Sequence, residues 1–110
     1  MNVSVVLPSF NRARLLPITI PTYFQEDVSE VILVDDCSSD NTAEVVKELQ
    51  TRFPTLRYFR NEVNSKQPYT QNVAISKVQS EYIYFGDDDS VLYPGSIRNL
   101  LNVMREKMPI

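Results

Sequence analysis

Glu81-Tyr82-Ile83-Tyr84-Phe85-Gly86-Asp87-Asp88-Asp89, running on to Pro94, sets the reading of the whole chain. Aromatic and β-branched residues in a row suit a pleated element, so residues 81–85 read as a buried strand that ends in three adjacent aspartates. At neutral pH each aspartate is normally ionised, and at a few ångströms like charges cost on the order of 1 kcal/mol per pair even when well hydrated. Something cationic must sit among them. Mg2+ or Mn2+ held by carboxylate oxygens would turn that repulsion into binding. A solvated acidic turn is the plainer alternative, since aspartate is common in turns.

Upstream, two more apolar runs end in polar clusters. Val3–Pro8 reads as a buried strand followed by the loop Ser9-Phe10-Asn11-Arg12, and Glu30–Val34 as a second strand ending in Asp35 and Asp36. Leu56–Arg60 reads as a third strand, on an edge of the sheet. Helices fall between them. Leu15 to about Gln25 looks helical but carries Pro17 and Pro21, so that helix should start late or bend. The capping-rich turn 37–42 opens a helix through Phe53, with Val45, Val46, Leu49 and Phe53 on one face. Pro68 suits the start of a helix through about Gln79, and Pro94 the start of one carrying Ile97, Leu100, Leu101, Met104 and Met108 on a stripe. Strands alternating with helices give an α/β fold with a mostly parallel sheet and right-handed crossovers, one domain over residues 1–110. In such sheets ligands bind outside the carboxyl ends of the strands, where the polar clusters lie.

Composition narrows the class. Of 110 residues 43% are hydrophobic and 23% charged, the balance of a globular protein. No apolar run approaches the roughly 20 residues that span a bilayer, and the start shows no basic n-region, so the chain is expected in the cytoplasm, with room for peripheral membrane association. The lone Cys37 and the absence of histidine exclude zinc sites and Ser-His or Cys-His catalysis as intrachain devices. A net charge of −3 argues against nucleic acid as the main partner. Glycine stands only at positions 86 and 95, so neither a dinucleotide fingerprint nor a P-loop can be written. An anionic phosphate ligand must then be held mainly through a metal. A base can stack on Phe10, with Asp36 accepting from a ring N–H, Asp87 or Asp88 accepting from ribose hydroxyls, and Asp89 holding the metal on a diphosphate. Phe10 competes with a reading as ordinary core, and Arg12 and Arg14, set against the helix dipole, with a solvated face. Asp35 is as readily structural, and Cys37 is read as a small buried residue.

These segments resemble the N-terminal half of family 2 glycosyltransferases of the GT-A fold. Val3–Arg12 resembles the first strand and nucleotide loop, Val34–Thr42 the acidic turn after the second strand, and Asn72–Ile75 with Glu81–Asp89 and Pro94 the segment of the Asp-X-Asp metal motif. The resemblance implies a Rossmann-like nucleotide-diphospho-sugar-binding half-domain. It places Pro8, Phe10, Arg12, Asp36, Asp87 and Asp88 on a UDP- or GDP-type sugar nucleotide, and Asp89 with Asp87 on Mn2+ or Mg2+.

Departures accompany the matches. The family usually has glycine where Cys37 stands, the loop before the third helix is Asn64-Ser65-Lys66-Gln67-Pro68, and Gln71 replaces a frequent arginine. After Asp89 the only acid is Glu106, so no catalytic base for an acceptor is evident. Two outcomes follow: a sugar transferase, or a catalytically incomplete module that binds or presents the sugar nucleotide. Strand 81–85, lacking the family's further strands, would be an apolar edge covered by another copy or a partner chain. A receiver domain or a nucleotidyltransferase fits poorly, because the first strand ends in Pro8-Ser9-Phe10.

Overall fold

The computed structural model describes residues 2–62, 72 and 74–107. Its elements run β1 (Val3–Ser9), α1 (Leu16–Tyr23), β2 (Val28–Asp35), α2 (Thr42–Arg52), β3 (Leu56–Arg60), β4 (Tyr82–Phe85) and α3 (Ser96–Lys107). Residues 72 and 74–76 are also helical. Most of the helix expected from Pro68, with the loop 64–68, Gln71 and Val73, lies outside the described residues, as does Met108.

The strands form one four-stranded sheet in the order β3-β2-β1-β4, with every pair parallel. The chain therefore builds outward from β1 through β2 to β3, then returns to the other side of β1. The carboxyl ends of β1 and β4 flank the point where the winding reverses, and there the connections leave in opposite directions and open a crevice. Register brings the ends level: Ser9 lies beside Asp35, and Val6 beside Phe85.

Alternation of side chains across the pleat gives the sheet two buried faces at its centre. One face carries Val5, Leu7, Val31, Leu33 and Leu56, packed against Leu16, Ile20 and Tyr23 of α1 and Val46 and Leu49 of α2. The other carries Val6, Ile32 and Val34 against Ala74. Ile97 and Leu101 of α3 close on Val3, Tyr82 and Tyr84. Burying each such aliphatic side chain contributes about 1.5–3 kcal/mol, which fixes β1 and β2 as the rigid platform beneath the strand ends.

Of the late start or bend expected of the first helix, the late start does not occur: it begins at Leu16 with Pro17 in its first turn, where a missing N–H costs nothing, and Pro21 lies inside it near the end. Nor is β4 buried on both sides. Among the described residues it is the edge strand expected of residues 81–85, on which Ile83 and Phe85 are exposed while Tyr82 and Tyr84 pack inward. The run of aromatics suggested burial, but only one face of β4 meets a neighbouring layer among the described residues. On α3 the stripe is likewise split, with Ile97 and Leu101 buried and Leu100 and Met104 exposed.

Candidate nucleotide-binding cleft

A cleft of about 520 Å³ opens at the carboxyl ends of the strands, lined by Pro8, Ser9, Phe10, Asn11, Arg12, Asp36, Asp87, Asp88 and Asp89. The three polar clusters of the sequence thus meet in one place. β1 contributes the floor because it lies between β2 and β4, so Asp36 and the aspartate loop face each other across residues 8–12. Phe10 is 43% exposed and is not core. Arg14 is exposed and lies outside the cleft lining, which leaves it on the solvated face. Tyr93, 82% exposed, is also outside the lining.

The loops after β1 and β2 hold each other. The Asp36 amide donates to Ser9 O at 2.8 Å. Asn11, at φ 53°, accepts from the Ser39 amide at 2.8 Å through its side-chain oxygen, while its own amide donates to Ser38 Oγ at 2.9 Å. Asparagine tolerates this left-handed backbone better than most residues. Asp35 is wholly buried and structural: it accepts from the Ser38 amide and hydroxyl, Tyr58 OH and Arg60. Burial, reinforced by the hydrogen bond to Asp35, pushes the Tyr58 phenol up to about 12. Asp36, by contrast, turns to the cleft, where Asn61 Nδ2 donates to its Oδ1 at 3.0 Å.

Cys37 takes the conformation that the family's glycine would supply, with φ 64°. Its sulfur lies 3.3 Å from Glu62 O. It is partly exposed, where a small buried residue was expected.

The aspartate loop is anchored from α1. Tyr23 OH donates to Asp87 O and accepts from the Asp87 amide, each at 3.1 Å. Thr19 Oγ1 donates to Asp88 O at 3.1 Å, and the Leu92 amide donates to Thr22 Oγ1 at 3.0 Å. Just beyond the helix, Gln25 donates to Tyr93 O at 2.7 Å and accepts from the Ile97 amide at 3.2 Å. Burial raises the Tyr23 pKa, so its hydroxyl stays protonated and able to donate. These anchors, and Asn61, went unnoticed in the sequence. The signal available was weak, polar residues on a helix otherwise facing the core.

One cation of the chain itself stands beside two of the aspartates. Arg12 Nε lies 3.6 Å from Asp88 Oδ1, and its second terminal nitrogen 3.9 Å from Asp89 Oδ2. Burial of Asp88 raises its pKa, outweighing the nearby Ser9 hydroxyl, the Arg12 charge and the Phe10 amide that lower it. Ser9 Oγ is itself buried and reaches no partner at full hydrogen-bonding geometry. A buried hydroxyl left in that state at the floor of a cleft suits a polar ligand.

No group of three or more acidic or cysteine side chains converges into a metal cage among the described residues. A hard cation on a nucleotide needs no such cage, since it is commonly held by one or two carboxylates and completed by phosphate oxygens and water. Also among the described residues, no helix is long and apolar enough to cross a membrane.

Comparison with known proteins agrees with this architecture. The family model "Glycosyl transferase family 2" matches residues 4–109. The chain is 34% identical over 107 residues to the GalNAc(5)-diNAcBac-PP-undecaprenol beta-1,3-glucosyltransferase of Campylobacter jejuni, covering 94% of this chain and 35% of that protein. S. aureus TarS residues 1–349, solved with UDP-GlcNAc, superposes with a TM-score of 0.84 at 26% identity, over 96% of this chain and 32% of that one. The mannosyltransferase PcManGT of Pyrobaculum calidifontis, solved with GDP-Man and Mn2+, gives 0.86 at 22% identity over 94% and 32%, a likeness of fold. The chain thus spans about a third of the length of these relatives. With its parallel sheet, its strand-end cleft and a family match over nearly its whole length, the chain belongs to glycosyltransferase family 2 and has the GT-A fold.

Proposed function

We propose that this chain binds a nucleoside-diphosphate sugar in the strand-end cleft and forms the donor side of a sugar-transfer site. The observation that carries the reading is the convergence of Phe10, Arg12, Asp36 and Asp87–Asp89 on one cleft in a chain of this family. The UDP-GlcNAc complex of the similar TarS domain supports the same ligand class. Phe10, half exposed over the cleft, offers a face for a base. Asp36, steadied by Asn61, accepts from a ring N–H, and Asp87 or Asp88 accepts from ribose hydroxyls. Pro8 and Arg12 border the same ligand. Asp89, with Asp87, would hold Mn2+ or Mg2+. Such a cation, when bound, offsets the charge that develops on the departing nucleoside diphosphate, an effect worth several kcal/mol. The reading takes residues 1–110 as one donor-binding domain, with the acceptor-binding part supplied from outside these residues.

A second reading is a module that binds the sugar nucleotide without turning it over. Donor consumption separates the two readings.

Calorimetric titration of UDP, GDP and their sugar conjugates, with and without Mn2+, tests the proposal on the natural chain, Asp36→Asn and Asp89→Asn. Metal-dependent binding lost in Asp89→Asn and weakened in Asp36→Asn is the expected result. Absence of nucleotide binding by the natural chain under both conditions would overturn it.

A further inference from the structure

We infer that Arg12 is a built-in counter-ion that competes with a divalent cation for the aspartate loop and makes cation binding depend on the nucleotide. This rests on the sugar-nucleotide reading of the cleft. The observation beneath it is geometric. A single guanidinium reaches two carboxylates on a loop that departs from the neighbouring strand, at 3.6 Å to Asp88 and 3.9 Å to Asp89.

The backbone of Arg12 is fixed, since its carbonyl accepts from the Leu15 and Leu16 amides at 2.9 and 3.1 Å. Its side chain is 45% exposed, and its contacts to the carboxylates are longer than good hydrogen bonds. Such a pair is weak and exchanges readily. The base of the side chain is therefore held while its charged end can turn.

Three aspartates and one arginine leave the loop with an excess of negative charge, which attracts a dication. The same arginine stands against that dication as a like charge and occupies oxygens it needs. A diphosphate arriving in the cleft offers the guanidinium a better partner, because its planar fork suits phosphate oxygens. Arg12 then turns from carboxylate to phosphate, and the vacated oxygens become open to the cation. Part of the mutual reinforcement between nucleotide and metal is thus carried by one side chain, and by linkage it must act equally in both directions.

The test titrates Mn2+ alone, then Mn2+ in the presence of saturating UDP, into the natural chain, Arg12→Gln and Arg12→Lys, with thermal melting to check that each is folded. Arg12→Gln is expected to bind Mn2+ alone about two- to fivefold more tightly, with a smaller tightening on adding UDP, and Arg12→Lys, which keeps the charge without the fork, to bind Mn2+ alone near the natural chain but to gain less on adding UDP. Unchanged or weaker Mn2+ binding by Arg12→Gln overturns the inference, as does an absence of Mn2+ binding by all three proteins. Failure of UDP to bind the natural chain overturns the proposed function instead, and the titration of Mn2+ alone still reads the competition at Arg12.

Discussion

Tyr23 and Asp87 are joined twice, the tyrosine hydroxyl lying 3.1 Å from both the carbonyl oxygen and the amide nitrogen of the aspartate. One side chain on α1 thereby fixes the first residue of the acidic loop. Tyr23→Phe keeps the ring in the core and removes both bonds. The expected cost is about 1–2 kcal/mol of stability, with nucleotide affinity falling about fivefold where the loop must be re-ordered on binding. Urea unfolding alongside UDP titration checks it, and unchanged values for both would show the loop to be held elsewhere.

Gly86 stands where that ring crosses β1. A Cβ at this position would lie 2.6 Å from Leu7 Cδ2 and 2.6 Å from Tyr23 Cε1. Gly86→Ala must push the ring or the strand aside, at an expected cost of about 1–3 kcal/mol. Its melting temperature should fall, and its nucleotide affinity with it, because the displaced ring carries the hydroxyl that holds Asp87.

Cys37 sits at φ 64° beside the cleft residue Asp36. Glycine adopts that backbone without a Cβ penalty, so Cys37→Gly should gain from a few tenths to about 1 kcal/mol. Cys37→Val should lose more than about 1 kcal/mol, since a β-branched residue is a severe outlier there. Equal melting temperatures for the two variants would contradict the conformation.

Glu30 gives the chain an acid-sensitive tie. Burial alone would raise its pKa, but the Ser4 hydroxyl, the Gln79 amide and Arg57 together outweigh burial and lower it below the ordinary 4.5. A depressed folded-state value means that the stabilisation is present above the unfolded pKa and is lost as pH falls through the folded one. At pH 7 Glu30→Gln should be less stable by about 1–2 kcal/mol. Melting curves taken from pH 7 downward should show this gap closing below pH 4.5. A gap that stays constant with pH would remove the carboxylate charge from the explanation.

The strands and the acidic clusters at their ends were legible in the sequence because each is local, and their alternation with helices implied a parallel sheet. A short apolar run closed by proline or aspartate announces a strand and its end together. What stayed hidden is long-range. Tyr23 and Asp87 are 64 positions apart, and nothing in either segment alone points to the other. The need for a cation among Asp87–Asp89 could be read from charge, but that Arg12 stands beside two of them follows only from β1 and β4 being neighbours. The burial of β4 was misjudged for a related reason. Aromatic content marks a side chain that favours contact, whereas position in the sheet decides whether both faces receive it. Phe10 shows the converse, an aromatic that looked equally suited to the core and stands exposed at the cleft.

The hydrogen bonds that Thr19, Thr22, Tyr23 and Gln25 make to the loop they hold all go to main-chain atoms, at Asp87, Asp88, Leu92, Tyr93 and Ile97. The grip on the path is separate from the groups displayed along it. For evolution or for an engineer, this separates two problems that are usually entangled: the exposed side chains of Ser90, Val91 and Tyr93 can be rewritten without surrendering the shape of the loop, provided the α1 side chains that hold it are left alone.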